Sequence, residues 1–137
     1  MNNSKPILLV EDDQVDAATI KRAIEDLEIS ANLVHMIDGE QALNYLRDKC
    51  NKKPSVIFLD LNMPKMDGIE FLKVIKADKT LQQIPVVVLT VSSQEQDIVE
   101  SFNLGIAGYV TKPAGYEEFI GKLQTIDAYW TFSELPP

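Results

Sequence analysis

The chain has 137 residues, of which 45% are hydrophobic and 25% are charged, a composition typical of one soluble globular domain. Its formal net charge of −8 argues against binding of nucleic acid, because contacts to phosphates need clustered lysine and arginine. No apolar run approaches the roughly 18 residues of a membrane span, and the polar start lacks the apolar core of a signal peptide. We therefore expect a cytoplasmic protein that binds neither nucleic acid nor membrane, and the single cysteine, Cys50, agrees with a reducing compartment.

The first apolar run, residues 7–10, has the length of a strand and ends in three acids, Glu11, Asp12 and Asp13. Asp13 and Asp16 have the spacing of a helix N-cap and an acid in the first helical turn. A helix is predicted over residues 14–28. Its apolar face at helical spacing comprises Val15, Ala18, Ile20, Ala23, Ile24 and Leu27.

Residues 56–68 are the stretch around which the chain is organised. Four apolar residues predict a strand buried on both faces that leads into Asp60, and Pro64 and Asp67-Gly68 then indicate a loop and a turn. In open parallel α/β sheets, ligands bind beyond the carboxyl ends of the strands. Asp60 is therefore placed either for chemistry or as a helix-capping acid in a loop.

Three more strands are predicted at residues 32–37, 85–91 and 107–111, and Ser92-Ser93 can cap a helix over residues 94–103. The last helix is predicted at about residues 116–129. Strands that alternate with helices indicate βαβ units, and therefore a parallel sheet with helices on both faces. We expect one domain over residues 1–130 and a C-terminal tail over residues 131–137, with no output domain.

Polar residues stand at four of the predicted strand ends. They are Glu11 and Asp12 on the first strand, Asp60 on the third, Thr90 on the fourth and Lys112 on the fifth. Because these ends lie at one edge of a parallel sheet, the carboxylates converge, and a divalent ion such as Mg²⁺ is the simplest compensation for their repulsion. Beside such an ion Asp60 is a candidate nucleophile towards phosphorus, with Lys112 and Thr90 contacting phosphoryl oxygens.

Each of these residues also has a purely structural interpretation. Lys112 can be an ordinary surface lysine, Thr90 a β-branched strand residue, and Glu11 and Asp12 solvated loop acids. The combination of all of them at one sheet edge favours a phosphoryl site.

The chain resembles the receiver domain of two-component response regulators from residue 7 to about residue 130. The resemblance is carried by ILLVEDD at residues 7–13, DLNMP at 60–64, Asp67-Gly68, Leu89-Thr90, Gly108-Tyr109 and Lys112-Pro113. It implies a flavodoxin-like, doubly wound (βα)5 three-layer sandwich, with a five-stranded parallel sheet in the order 2-1-3-4-5.

By this resemblance, Asp60 is the phosphoacceptor, which forms a phosphoaspartate with a phosphoryl group from a sensor histidine kinase. Mg²⁺ is the implied cofactor, held by Glu11, Asp12, Asp60 and the main-chain carbonyl of Asn62. Strand alternation leaves open whether Asp12 or Asp13 faces the ion. The protein is then not an enzyme on outside substrates, since it only promotes its own phosphorylation and dephosphorylation.

The resemblance also implies a switch. Thr90 is the switch hydroxyl, Tyr109 the aromatic residue that reorients with it, and Lys112 the lysine that binds the phosphoryl group. The interpretation of Tyr109 as a half-buried core ring remains open. Lys112-Pro113 stands at the position of a peptide bond that is cis in this family. Val91 is a departure, because the family usually has a small residue after the switch hydroxyl, and slower phosphoryl exchange is expected.

Such a domain signals through a surface change or as a phosphorelay shuttle, with a downstream protein or a histidine phosphotransfer protein as its partner. The ending from Tyr129-Trp130 to Pro137 resembles that of small regulators that pair with bacterial phytochrome kinases. Its aromatic residues can instead cover the sheet edge or form a homodimer contact.

Two other functions fit parts of the pattern. A Mg²⁺-dependent phosphohydrolase with an aspartyl-phosphate intermediate would need a second acid where Asn62 stands, which disfavours it. A degenerate receiver that acts only as a binding module is disfavoured by the complete set of acidic and basic residues.

Overall fold

The computed structural model of the chain describes residues 5–112 and 115–132. Strands and helices alternate in the order β1 (Ile7–Val10), α1 (Gln14–Asp26), β2 (Leu33–Met36), α2 (Gly39–Arg47), β3 (Val56–Leu59), α3 (Gly68–Ala77), β4 (Val86–Thr90), α4 (Glu95–Asn103), β5 (Gly108–Thr111) and α5 (Tyr116–Phe132). The five strands are parallel and lie in the order β2-β1-β3-β4-β5. The expected flavodoxin-like fold is confirmed.

Two hydrophobic cores lie on opposite faces of the sheet, because successive side chains of a strand point to opposite sides. Leu8 and Ile57 face one core, which is closed by α2 and α3. Ile7 and Phe58 face the other core, which is closed by α1 and α5. β1 and β3 are buried on both faces, as expected for central strands of a parallel sheet, and the three layers follow from this burial.

Aspartates cap the first three helices. Asp13 Oδ1 accepts hydrogen bonds from the N–H groups of Val15 and Asp16, at 2.8 and 3.0 Å, as its spacing predicted. Asp38 and Asp67 cap α2 and α3 through single bonds of 2.9 Å. Each such cap stabilises a helix by about 1 kcal/mol relative to alanine. The caps fix where α1 and α3 leave the edge of the sheet.

The predicted apolar face of α1 is wrong at its start. Val15 is 74% exposed and Ala18 is exposed, whereas Ala17 is buried. With 3.6 residues per turn, Val15 lies about 200° around the helix from Ala17 and points away from the sheet. The helix also ends at Asp26, two residues before the predicted end.

The predicted cap of α4 is wrong as well. The N-cap is Gln94, which makes no side-chain capping bond. Ser92 Oγ instead donates to Asp97 at 2.6 Å and accepts a long bond from the Gln94 N–H at 3.4 Å. Ser92 thus ties the loop after β4 to the first turn of α4.

The end of the chain is more helical than predicted. α5 continues to Phe132, and Trp130 is buried in the core beneath α1 and α5. Residues 133–137 of the predicted tail and Pro113 of the predicted cis bond lie outside the described residues. Within the described part, none of the helices combines the length and hydropathy needed to cross a lipid bilayer.

Candidate functional site

The sheet register brings the predicted site residues to one edge. Val10 of β1 is paired with Leu59 of β3, so Glu11 and Asp60 follow at the same level. The Asp60 N–H donates to the Val10 carbonyl at 3.1 Å, which continues the ladder by one bond. On the other side of the site, the Lys112 N–H donates to the Thr90 carbonyl at 2.7 Å. These main-chain hydrogen bonds therefore fix the positions of the site residues independently of their side chains.

Three carboxylates form a cluster at this edge. Glu11, Asp12 and Asp60 each offer one oxygen, and these oxygens lie within 4.8 Å of one another. Glu11 and Asp60 are 1% and 7% exposed, and Asp12 is partly exposed. Hard divalent cations prefer oxygen ligands and keep several waters, so a cluster open to solvent on one side fits such an ion. The residues present therefore fit a divalent metal site.

Helix capping distinguishes Asp12 from Asp13. The carboxylate of Asp13 is bonded to the start of α1, whereas that of Asp12 joins the cluster. The Asn62 N–H donates to Asp60 Oδ1 at 3.3 Å, which places the main chain of Asn62 beside the same carboxylate.

Lys112 Nζ is bonded to three carboxylates. Its distances are 2.5 Å to Glu11 Oε1, 2.7 Å to Asp16 Oδ2 and 3.3 Å to Asp60 Oδ2, and its side chain is 11% exposed. Burial acts to lower the pKa of Lys112, but the bonds to Asp16 and Glu11 and the charge of Asp60 outweigh it and raise this pKa above its usual value. The ammonium therefore stays charged and balances part of the negative charge of the site.

Glu11 has a strongly shifted pKa. Burial raises the pKa of Glu11 to about 8, the bond to Lys112 opposes the rise, and the neighbouring Asp60 adds to it. Burial therefore disfavours the ionised form of Glu11 in the metal-free site. The main-chain carbonyl of Glu11 accepts a hydrogen bond of 2.7 Å from His35 Nε2 on β2, which anchors the strand end.

Thr90 and Tyr109 both contact the loop after β4 at Ser92. The Ser92 N–H donates to the fully buried Thr90 Oγ1 at 3.4 Å, and the Tyr109 hydroxyl donates to the Ser92 carbonyl at 2.8 Å. Tyr109 is half-buried, as the structural interpretation of this residue proposed, and packs against the core beneath α2 and α3. Burial raises the pKa of its hydroxyl. One residue thus connects the two predicted switch positions.

Two residues of this site were not predicted from the sequence. Asp16 was predicted only as an acid in the first turn of α1, but its carboxylate reaches Lys112. Gly68 was predicted only as a turn residue, but a Cβ there would lie 2.6 Å from both the Asp60 carbonyl oxygen and Leu61 Cα. The start of α3 therefore needs glycine to pack against the loop that carries Asp60.

A parallel sheet in this order, with an acidic cluster and one lysine at its carboxyl edge, defines the class of receiver domains. The chain matches the family described as response regulator receiver domain over residues 7–124, and it belongs to this family. Members of the family are signalling proteins that bind a divalent metal and work with sensor kinases.

Individual relatives support this assignment over nearly the whole chain. The response regulator Rcp1 of Synechocystis sp. is 36% identical over 133 residues, which cover 94% of this chain and 90% of Rcp1. The crystal structure of the Mn²⁺-bound form of Rcp1 has a TM-score of 0.89, over 97% of this chain and 99% of the other. The phosphorylated cyanobacterial phytochrome response regulator RcpA is 39% identical, with a TM-score of 0.89 and the same coverage.

Proposed function

We propose that this protein is a phosphoacceptor response regulator in which Asp60 takes a phosphoryl group from a histidine kinase. The observation that carries the proposal is the position of the Asp60 carboxylate, which belongs to the acidic cluster and lies 3.3 Å from Lys112 Nζ. Aspartate is one of the side chains that form acyl phosphates, and a neighbouring ammonium can neutralise phosphoryl oxygens. The phosphorylated state of the relative RcpA is consistent with this chemistry.

The transfer step follows from these groups. A carboxylate oxygen of Asp60 forms a bond to phosphorus while the bond from phosphorus to the kinase histidine breaks, and the histidine nitrogen keeps the electron pair and takes up a proton. Lys112 donates to a phosphoryl oxygen. Glu11, Asp12, Asp60 and the carbonyl of Asn62 would hold Mg²⁺, which supplies positive charge to the phosphoryl oxygens when it is bound.

The output is a change around the loop after β4. A phosphoryl group on Asp60 would attract the hydroxyl of Thr90 away from the Ser92 N–H. The carbonyl of the same Ser92 accepts a hydrogen bond from the Tyr109 hydroxyl. Release of both bonds lets Tyr109 turn inward and changes the surface formed by α4 and β5. To act as a switch, the phosphoryl group must favour the active state by about a few kcal/mol.

The expected partner upstream is a sensor histidine kinase of the phytochrome type, in the cytoplasm. The similarity to RcpA, a phytochrome response regulator, supports this choice. Downstream, the surface change acts on a target protein, on a histidine phosphotransfer protein or on a second copy of the chain.

Labelling at Asp60 tests the proposal. Incubation with acetyl phosphate and Mg²⁺ should add one phosphoryl group, which mass spectrometry detects and hydroxylamine removes. Asp60→Asn should take no label, and chelation of the metal should abolish labelling of the wild type. Repeated turnover of phosphomonoesters without a stable label would favour the phosphohydrolase alternative. A label that persists in Asp60→Asn would contradict the assignment of the phosphoacceptor.

A further inference from the structure

We propose that Asp16 is a positioning residue, which together with Glu11 holds the ammonium of Lys112 beside Asp60. This inference rests on the proposed role of Asp60 as phosphoacceptor. Its basis is the contact of 2.7 Å between Asp16 Oδ2 and Lys112 Nζ, which is shorter than the contact of 3.3 Å between Lys112 and Asp60.

The hydrogen bonds of the ammonium show why a third carboxylate matters. A lysine ammonium has three N–H donors, and here they are directed at Glu11, Asp16 and Asp60. Glu11 and Asp60 also belong to the cluster that fits a divalent ion, whereas Asp16 does not. When the ion and the phosphoryl group engage Glu11 and Asp60, Asp16 is the acceptor that remains available to Lys112 alone.

Asp16 is held by a rigid element. Its main-chain N–H is bonded to the capping carboxylate of Asp13 at 3.0 Å, and the next turns of α1 are anchored by the buried Ala17 and Ile20. The side chain of Asp16 is 38% exposed, so the carboxylate contacts solvent while it contacts Lys112. The anchor thus belongs to a different element from both Asp60 and Lys112.

Lys112 has open space beside it. A cavity of about 340 Å³ lies between α1 and α5, and Asp16, Thr19, Lys112 and Gly115 are among its lining residues. A lysine side chain loses rotamer entropy when it is fixed, so without an anchor it would sample this space. Asp16 restrains the ammonium at the side of the cavity that borders the acidic cluster.

Asp16→Asn is the test variant, and Asp13→Asn is its matched control. Both remove one negative charge from the start of α1, and asparagine caps a helix about as well as aspartate. The carboxylate of Asp13 is bonded to main-chain N–H groups of α1, so its loss leaves the bonds of Lys112 intact. Equal midpoints of urea unfolding would show that both variants fold.

Two measurements are made on the same samples. In protein with ¹⁵N-labelled lysine, a hydrogen-bonded ammonium gives a resolved NMR signal, which we expect for Lys112 in the wild type and Asp13→Asn. In Asp16→Asn, where Glu11 and Asp60 remain as acceptors, we expect this signal to be weaker and broader. At saturating acetyl phosphate and Mg²⁺, Asp16→Asn should be phosphorylated about three- to tenfold more slowly, as expected for loss of one partly screened charge-assisted hydrogen bond. Asp13→Asn should stay within about twofold of the wild type.

The possible outcomes separate the two proposals. A Lys112 signal as strong and as sharp in Asp16→Asn as in Asp13→Asn would overturn the anchoring role, and so would a phosphorylation rate equal to or above that of Asp13→Asn. A wild type that takes no label at all would overturn the proposed phosphoacceptor function. In that case the NMR signal of the Lys112 ammonium would still show whether Asp16 holds Lys112 in place.

Discussion

A Cβ atom at Gly68 would lie 2.6 Å from the carbonyl oxygen of Asp60. Gly68 is the first residue of α3, so its backbone lies directly against that of Asp60, the residue proposed to accept the phosphoryl group. The Gly68 N–H also donates to the Leu61 carbonyl at 3.0 Å, so the two segments are held together as well as packed. Lys65, in the same loop, has a positive φ of 63°, which is uncommon for a residue with a side chain. The loop is thus shaped by backbone contacts on both sides.

Gly68→Ala should destabilise the protein, because the added Cβ atom would overlap with two backbone atoms, the Asp60 carbonyl oxygen and Leu61 Cα. The loop or the helix must move to make room for it. We expect the free energy of unfolding to fall by about 2–3 kcal/mol, as for other overpacked sites. Urea unfolding measures this change. Gly121→Ala is the control, since Gly121 lies within α5 and a Cβ atom there would meet no atom within 4 Å outside the helix's own backbone. It should raise the free energy of unfolding by about 0.5–1 kcal/mol. Equal effects of the two variants would refute the packing argument.

Binding of a divalent metal should strengthen as the pH rises. Glu11 has a pKa of about 8 in the metal-free protein and must lose its proton to act as a ligand. Between pH 6 and 8 we therefore expect the affinity for Mn²⁺ to rise by up to about tenfold per pH unit, with release of a proton on binding. Calorimetry in buffers of different ionisation enthalpy measures both quantities.

The stability of the metal-free protein should change in the opposite direction. The pKa of Glu11 is raised from 4.5 to about 8, so between these values the native state holds a proton that the unfolded chain has lost. The contribution of Glu11 to the free energy of unfolding therefore falls as the pH rises through this window. Glu11→Gln should remove this contribution and weaken the pH dependence of metal binding. Unchanged pH dependences in Glu11→Gln would mean that another group titrates.

Tyr109→Phe should loosen the loop after β4. The variant removes the bond of 2.8 Å to the Ser92 carbonyl and leaves the ring in its packing position. We expect a loss of about 0.5–1.5 kcal/mol in stability and faster amide hydrogen exchange around Ser92. Tyr45→Phe, on α2 and packed against the same core, is the control and should leave exchange in this loop unchanged. Equal exchange in both variants would exclude Tyr109 as a restraint on the loop.

Val91→Ala should shorten the lifetime of the phosphorylated protein. Val91 directly follows the buried Thr90 and is 66% exposed, so its methyl groups stand on the surface next to the site. Their removal should open the approach of water to Asp60 and shorten the half-life by about two- to fivefold, which corresponds to less than about 1 kcal/mol in the barrier. Val99→Ala removes the same atoms from an exposed position of α4 and should have no effect. A half-life that is unchanged or longer in Val91→Ala would show that Val91 does not restrict the access of water to Asp60.

The features that depend on local rules could be predicted from the sequence. Alternating strands and helices indicated the parallel sheet, and the position of acids and a lysine after apolar runs indicated which residues meet at its edge. Asp13 was correctly predicted as a cap because the side chain needs only its own helix. The strand order came from the resemblance to receiver domains and is confirmed.

The features that depend on packing between distant segments could not be predicted. Asp16 and Lys112 are 96 residues apart, and their contact depends on how α1 lies against the end of β5. The exposure of Val15 depends on how the first turn of α1 lies against the sheet, where Ala17 is buried instead. Alternation could not decide between Asp12 and Asp13, because both lie beyond the end of the strand.

The position of β5 at the margin of the sheet separates the parts of the site by how freely they can move. β1 and β3, which lead into Glu11 and Asp60, are each held between two neighbouring strands, whereas β5 is hydrogen-bonded to β4 alone among the described strands. A displacement of β5 therefore breaks one ladder and leaves the other ladders and the carboxylates in place. Tyr109 belongs to this margin, and Lys112 follows it with an ammonium that is also bonded to Glu11, Asp16 and Asp60. A chemical event at the two central strands can thus be transmitted to the surface through a strand that a single ladder holds to the sheet.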